Sequence, residues 1–295
     1  EQAAPWYLAD CQMRGFSENT LALNRRVLEA FAAHAGEQPP ELISTNDVRQ
    51  FILQKSLRTS PSTAARYHQA LAPFFTFLTE EGIIASSPMA TLRKPKASEK
   101  PIEPLTAEQV KKLVATCGET TFVAVRDKLV VTLLFDCGLR ASELSALRTA
   151  DVDLSAQTAL VRESKNDKSR VVPFGKNTKQ LLQRYLSWRS AADCPELIVT
   201  AYGDRTDRHR IRAILSKIGR RAEIRVHPHQ LRHSCAIALL RSGANAFEVQ
   251  KLLGHATLAM TKRYSDIADT DLIERYRTAS PGDSLGKSIA GRKQL

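Results

Sequence analysis

Residues 137–144 read Cys137-Gly138-Leu139-Arg140-Ala141-Ser142-Glu143-Leu144, directly behind the apolar run Leu129 to Phe135. A glycine after a long apolar run can end one helix, and Ala141 to Leu144 can begin another, so the chain reads here as helix, tight turn, helix. Arg140 then stands beside the positive N-terminus of the second helix, a place that suits a phosphate. Taken alone, an arginine at such a turn is more often a solvated charge.

The helical grammar continues in both directions. Upstream, Ser17 and Thr20 can cap a helix carrying Leu21, Leu28 and Phe31 that ends near Gly36 and Pro39-Pro40. Ser44-Thr45-Asn46-Asp47 leads into Val48, Phe51 and Ile52, and Ser60-Pro61-Ser62 opens a segment through Tyr67, Leu71, Phe74, Phe75 and Leu78, with Pro73 a candidate kink. Aromatics at this spacing read as core rather than as a base-stacking platform. Arg93-Lys94-Pro95-Lys96-Ala97-Ser98-Glu99-Lys100-Pro101 has no apolar residue beyond Ala97 and reads as a linker, after which Thr106-Ala107-Glu108-Gln109 fits a capping box. Downstream, Thr158 to Val161, the polar turn Lys165-Asn166-Asp167-Lys168 and Arg170 to Pro173 look like a short hairpin. Helical patterns follow at about Thr178 to Trp188, Asp207 to Arg221, His229 to Ser242 and Asp269 to Arg277, before a polar tail.

The expected fold class is therefore mainly α: an N-terminal helical bundle over 1–92, a linker over 93–104, and a mixed, mostly helical domain with a small β-hairpin over 105–278. A flexible tail over 279–295 completes the expected division. With 295 residues, 43% hydrophobic and 25% charged, collagenous, low-complexity and disulfide-scaffold classes are excluded. No stretch approaches the roughly 18 apolar residues of a membrane helix, and Glu1 to Asp10 lacks a signal-peptide layout, so the expected location is the cytoplasm, with no membrane partner. The five cysteines include no CxxC pair and suggest neither a disulfide framework nor a zinc ribbon.

The formal net charge is +12, and its distribution is informative. Residues 1–104 hold 11 basic and 11 acidic side chains, so the whole excess lies beyond them. A charge gathered in one domain points to a polyanionic partner more strongly than a basic pI does.

Two further clusters concern phosphoryl chemistry. In His227-Pro228-His229-Gln230-Leu231-Arg232-His233, His229, Arg232 and His233 share one helix face. The histidine spacing resembles half of a zinc protease helix, but Gln230 stands where that motif needs glutamate and Arg232 would set a fixed positive charge beside the metal. The other cluster is Leu252-Leu253-Gly254-His255-Ala256-Thr257 followed by Met260-Thr261-Lys262-Arg263-Tyr264-Ser265. Lys262 and Arg263 would favour the phenolate that a tyrosine nucleophile must approach, although an isolated tyrosine also fits ordinary core packing.

Together, Gly-Leu-Arg-x-x-Glu-Leu, His-x-Leu-Arg-His, Leu-Gly-His and a tyrosine nine residues after that histidine resemble the tyrosine recombinase (phage integrase) family, most closely its Xer-like two-domain members. The resemblance spans nearly the whole chain. It implies a site-specific DNA recombinase acting in integration, excision or dimer resolution, with Arg140 and Arg232 clamping the scissile phosphate and Tyr264 as nucleophile. Lys165 aligns with the hairpin lysine that protonates the leaving 5′-oxygen, with Lys168 a close competitor. His229 matches the proton-transfer histidine, His255 a phosphate hydrogen bond, and Glu143 an acidic position that orients its neighbours. For His233, helix packing and phosphate contact stay equally open.

Ile237-Ala238 departs from the Thr and His of many relatives, which is expected to affect packing. The resemblance also implies a double-stranded DNA core site, a tetramer on two sites, and a possible partner recombinase or accessory proteins. The phosphotyrosyl ester retains the bond energy, so no cofactor, ATP or metal is called for. Lys94, Lys96, Lys100, Lys168 and Arg170 are candidate DNA contacts. A DNA-binding regulator on the same fold and a type IB topoisomerase are the alternatives.

Overall fold

Side chains at the helix starts set much of the secondary structure. The computed structural model describes residues 3–96, 103–162, 169–189 and 194–254. The chain divides into two compact units, Glu1–Pro101 and Ile102–Leu295.

The first unit contains α1 (Ala3–Met13), α2 (Glu18–Ala35), α3 (Thr45–Arg58) and α4 (Pro61–Glu80). Ser17, Ser44 and Ser60 each accept a backbone N–H three residues on, and Asp47 returns a bond to the Ser44 N–H, so α2 to α4 start where the sequence predicts. Helix α4 continues through Pro73. Helix α1 was not anticipated, because no Ser, Thr, Asp or Asn precedes it; it is held instead by burying Tyr7 and Cys11. Phe31 packs edge-on against Phe51 and Phe75, with ring centroids 5.2 and 5.7 Å apart, which places these aromatics in the core. Lys94 and Lys96 are exposed, outside helix or strand.

The second unit is built around α6 (Phe122–Asp136), whose Val125, Leu129, Val130, Val131, Leu133 and Leu134 are all buried. Helix α5 (Ala107–Thr116) precedes it, started by the Thr106 and Gln109 capping box. After α6 come α7 (Ala141–Ala146), strands β1 (Val152–Asp153), β2 (Thr158–Val161) and β3 (Arg170–Pro173), and then α8 (Lys176–Trp188), α9 (Arg208–Ala222), α10 (Pro228–Arg241) and α11 (Ala246–Leu253). The sheet is antiparallel in the order β1-β2-β3, with Val161 opposite Arg170 and Ala159 opposite Val172. Strand β1 is too short for an alternating pattern, and the sequence reading missed it.

The C-terminus of α6 also organises α8: the Asp136 carboxylate accepts from the Gly175 N–H at 2.8 Å and the Thr178 hydroxyl at 2.5 Å. Leu105 N–H donates to the Ser234 hydroxyl, tying the start of the unit to α10. Among the described residues no helix is long and apolar enough to cross a membrane. The expected helix over 269–277 and the tail lie outside the described residues.

Tyr185 on α8 is fully buried, stacks on Phe122, donates its hydroxyl to the Leu197 carbonyl and accepts from the Val199 N–H. Tyr185→Phe keeps the stack but strands both backbone groups, so urea denaturation should show a loss of about 1–3 kcal/mol.

Candidate active site

Glu143 is the third residue of α7, in its first turn, and is buried to 8% exposure. Its carboxylate accepts the Arg140 backbone N–H at 2.8 Å, Nη1 of Arg140 at 2.8 Å, and Nη1 and Nη2 of Arg170 at 3.0 and 2.8 Å. Nη1 of Arg232 stands 3.7 Å away. Burial pushes this carboxyl's pKa upward, but the hydrogen bonds and charge of Arg170, then Arg140 and Arg232, outweigh it and hold the group below the ordinary glutamate value. The first turn of α7 is therefore occupied by its own glutamate, and attraction for an anion here comes from the arginine side chains.

The same arginines meet the end of α11. Arg170 Nε donates to the Leu252 carbonyl at 2.8 Å, Arg232 Nη2 to Leu253 at 2.6 Å, and Arg140 Nη2 to Gly254 at 3.4 Å. Three successive carbonyls at the C-terminus of α11, which lack partners within their own helix, are thus met by three arginines from separate elements. Arg232 also donates to the Gly138 carbonyl at 2.7 Å and is 1% exposed, whereas the Arg140 side chain keeps about a third of its surface. The three motifs of the sequence, around residues 140, 232 and 253, therefore converge on one carboxylate and one helix end.

Two glycines permit this convergence. Gly138 has φ +61°, and a Cβ there would fall 2.4 Å from Cδ2 of Leu253 and 3.3 Å from Sγ of Cys235. Gly254 has φ +66° as the left-handed cap of α11, and a Cβ there would lie 3.1 Å from Nη1 of Arg170.

His229 sits in the first turn of α10 with its side chain reaching solvent. Partial desolvation, then the charges of Arg232, His227 and Arg140, lower its pKa from the ordinary histidine value, which favours the neutral ring at pH 7. His233 is buried within α10. Among the described residues no group of three or more His, Cys, Asp or Glu is placed to hold a metal ion. Lys100, Lys165, Lys168, His255 and Tyr264 lie outside the described residues.

Arg170 requires a correction. The sequence reading made it a candidate DNA contact, yet its side chain is 9% exposed and its Nε, Nη1 and Nη2 all donate to protein acceptors. The missed signal was the two-residue alternation of β3: Val172 is buried while Val171 is exposed, so Arg170 belongs to the inward face.

Residues 103–271 match the phage integrase family, and residues 7–82 match the phage integrase N-terminal SAM-like domain. The chain is 33% identical over 279 residues to tyrosine recombinase XerC of Thermodesulfovibrio yellowstonii, covering 91% of this chain and 92% of that one. It is 33% identical over 286 residues to XerC of Oceanobacillus iheyensis, covering 92% and 93%. In fold it is similar to a lambda integrase dimer bound to a COC′ core site, with TM-score 0.76 and 18% identity over 89% of this chain and 76% of that one. A lambda integrase tetramer bound to a Holliday junction gives TM-score 0.73 and 17% identity over 87% and 77%. The chain belongs to the phage integrase family of tyrosine recombinases, enzymes that cleave and rejoin DNA at specific sites.

Gly138→Ala should strain both the positive φ and the packing of Leu253 and Cys235. The expected result is a stability loss of about 1–3 kcal/mol in chemical denaturation, because a well-packed core resists added volume.

Proposed function

We propose that the chain recombines double-stranded DNA at a specific core site through a 3′-phosphotyrosyl intermediate, as a tetramer holding two sites. The observation that carries the reading is the gathering of Arg140, Arg232 and Arg170 around Glu143 at the end of α11, immediately before His255. Forked, permanent guanidinium charges suit the crowded phosphorane-like transition state, where negative charge accumulates on the equatorial oxygens.

In this reading Arg140 and Arg232 clamp the scissile phosphate, Glu143 orients them, and His255 adds a hydrogen bond. The Tyr264 oxygen attacks phosphorus, the bond to the 5′-oxygen breaks, and Lys165 gives that oxygen its proton. His229, with a lowered pKa, moves the proton of the attacking phenol. The freed 5′-hydroxyl then attacks the phosphotyrosyl link of the partner strand, so the ester's bond energy is kept and neither ATP nor a metal enters the balance.

Residues 1–92 serve as the core-binding domain, 93–104 as linker, 105–278 as catalytic domain and 279–295 as tail. Lys94, Lys96, Lys100 and Lys168 contact DNA, and the enzyme works in the cytoplasm. The curated relatives are named tyrosine recombinases, and the solved integrase complexes hold a core site and a Holliday junction, which supports DNA as partner and the tetramer as the working assembly. A type IB topoisomerase or a non-catalytic regulator is not favoured by these likenesses.

The test uses a library of nicked suicide duplexes with randomised inverted-repeat arms, from which covalent protein-DNA product is recovered and sequenced. The wild type should trap a defined arm sequence. Tyr264→Phe should give no adduct with binding retained, while Tyr276→Phe still forms it; the reverse pattern would place the nucleophile at Tyr276. Neutralising Lys94, Lys96 and Lys100 together should weaken trapped and random duplexes alike and flatten the salt dependence by about one unit per lost phosphate contact.

A further inference from the structure

The geometry points to another binding site in the second unit: a cavity between α6 and α9 takes a small organic anion, an acidic group carried on a compact apolar body. The cavity measures about 270 Å³, and none of its lining residues belongs to the cluster around Glu143. Arg126 and Asp127, near the start of α6, line it side by side and are 9% and 7% exposed. Nε and Nη2 of Arg126 both donate to Oδ1 of Asp127, at 3.0 and 2.6 Å. That edge-on pairing leaves the other terminal nitrogen, Nη1, with no hydrogen bond among the described residues. Thr206 lines the same cavity at 1% exposure, and its hydroxyl also has no protein partner. Polar groups this deeply placed are ordinarily met, so the cavity holds unused hydrogen-bonding capacity beside a fixed positive charge.

Helix α9 supplies the facing wall. Arg210, Ala213, Ile214 and Lys217 line the cavity at spacings of three and four, which puts them on one face of the helix. Ala213, Ile214 and the methylene stems of the two long side chains give that wall its apolar surface. The charges at the rim are not equal. Arg210 donates Nη1 to the Arg205 carbonyl and shares its charge with Asp207, the cap of α9. Lys217 is exposed and has no ion pair among the described residues. An acidic group that accepts from Nη1 of Arg126 therefore meets a donor in a nearly dry place and a second cation at the rim, while its apolar body covers Ile214 and Ala213. A bare inorganic ion leaves that wall wet, and an uncharged molecule gives up the charge-assisted bond.

The experiment titrates the full chain by calorimetry with phenyl phosphate, and with inorganic phosphate and benzyl alcohol as the two halves of that probe. Phenyl phosphate should bind and raise the melting temperature. Inorganic phosphate should bind about 10-fold more weakly for want of the buried ring, and benzyl alcohol about 10-fold more weakly for want of the charge. Arg126→Gln should weaken phenyl phosphate about 10-fold, and Lys217→Ala a few-fold, as suits a rim charge open to solvent. Ala213→Trp, at an exposed position, should fill the cavity and abolish binding.

Arg126→Gln strands a buried carboxylate; should it fail to fold, Lys217→Ala and Ala213→Trp, both at exposed positions, carry the test. Neither heat nor a melting shift with phenyl phosphate would overturn the inference. Equal binding of phenyl phosphate and inorganic phosphate, or binding that survives Ala213→Trp, would mean general attraction to a basic surface and would overturn it too. The titration is repeated on the protein saturated with a random DNA duplex, where binding should be unchanged. Displacement by the duplex would make the cavity part of the DNA surface and would overturn a site for a diffusible anion.

Discussion

The structure of the second unit depends on one buried carboxylate. Glu143 is held below its ordinary pKa against its own desolvation only because arginines from three elements surround it, and those arginines in turn are held by the carbonyls that end α11. Remove the carboxylate and three guanidinium groups face one another in a confined space. Remove an arginine and a buried charge or a helix end loses its partner. Each half of the arrangement is costly alone and stable only with the other, which is the behaviour expected of a buried ionic network with full hydrogen bonding.

This dependence explains why so many small features converge on the same few residues. Gly138 and Gly254 both adopt positive φ, and both face side chains that a Cβ would displace. The apolar helix α6 ends at Asp136, whose carboxylate starts α8, while the next turn delivers Arg140. Buried Cys235 packs beside the turn, its thiol pushed up to about 12 by desolvation and by Asp136, which keeps it a small apolar filler and not a nucleophile. Among the described residues, Glu143, Arg170 and Arg232 stand on helices and a strand whose ends are fixed.

Much of this was legible in the sequence, and the misses have physical reasons. Helix starts at Ser17, Ser44, Ser60 and Thr106 were readable because a cap is a local interaction between a side chain and a backbone three residues away. The strands 158–161 and 170–173 were readable from their turn and composition. Helix α1 has no Ser, Thr, Asp or Asn in the two residues before it and was missed, as was the two-residue strand β1. Arg140, Glu143 and Arg232 could be picked out by motif, but the near-complete burial of Arg232 could not, since the carbonyls it meets lie at residues 138 and 253. Arg170 was misread for the same reason: a basic residue beside a polar turn looks solvated until its strand face is considered together with a carboxylate 27 residues away.

The bonds that build the site span great lengths of chain: 82 residues from Arg170 to Leu252, 94 from Arg232 to Gly138, and 114 from Arg140 to Gly254. Contacts of such separation form late, after the chain has closed its large loops. The bonds that anchor these arginines to the end of α11 can therefore form only once the chain through Gly254 is present. In an enzyme that cleaves and rejoins DNA this makes topology a safeguard, because the arginines are fully held only once α11 is in place.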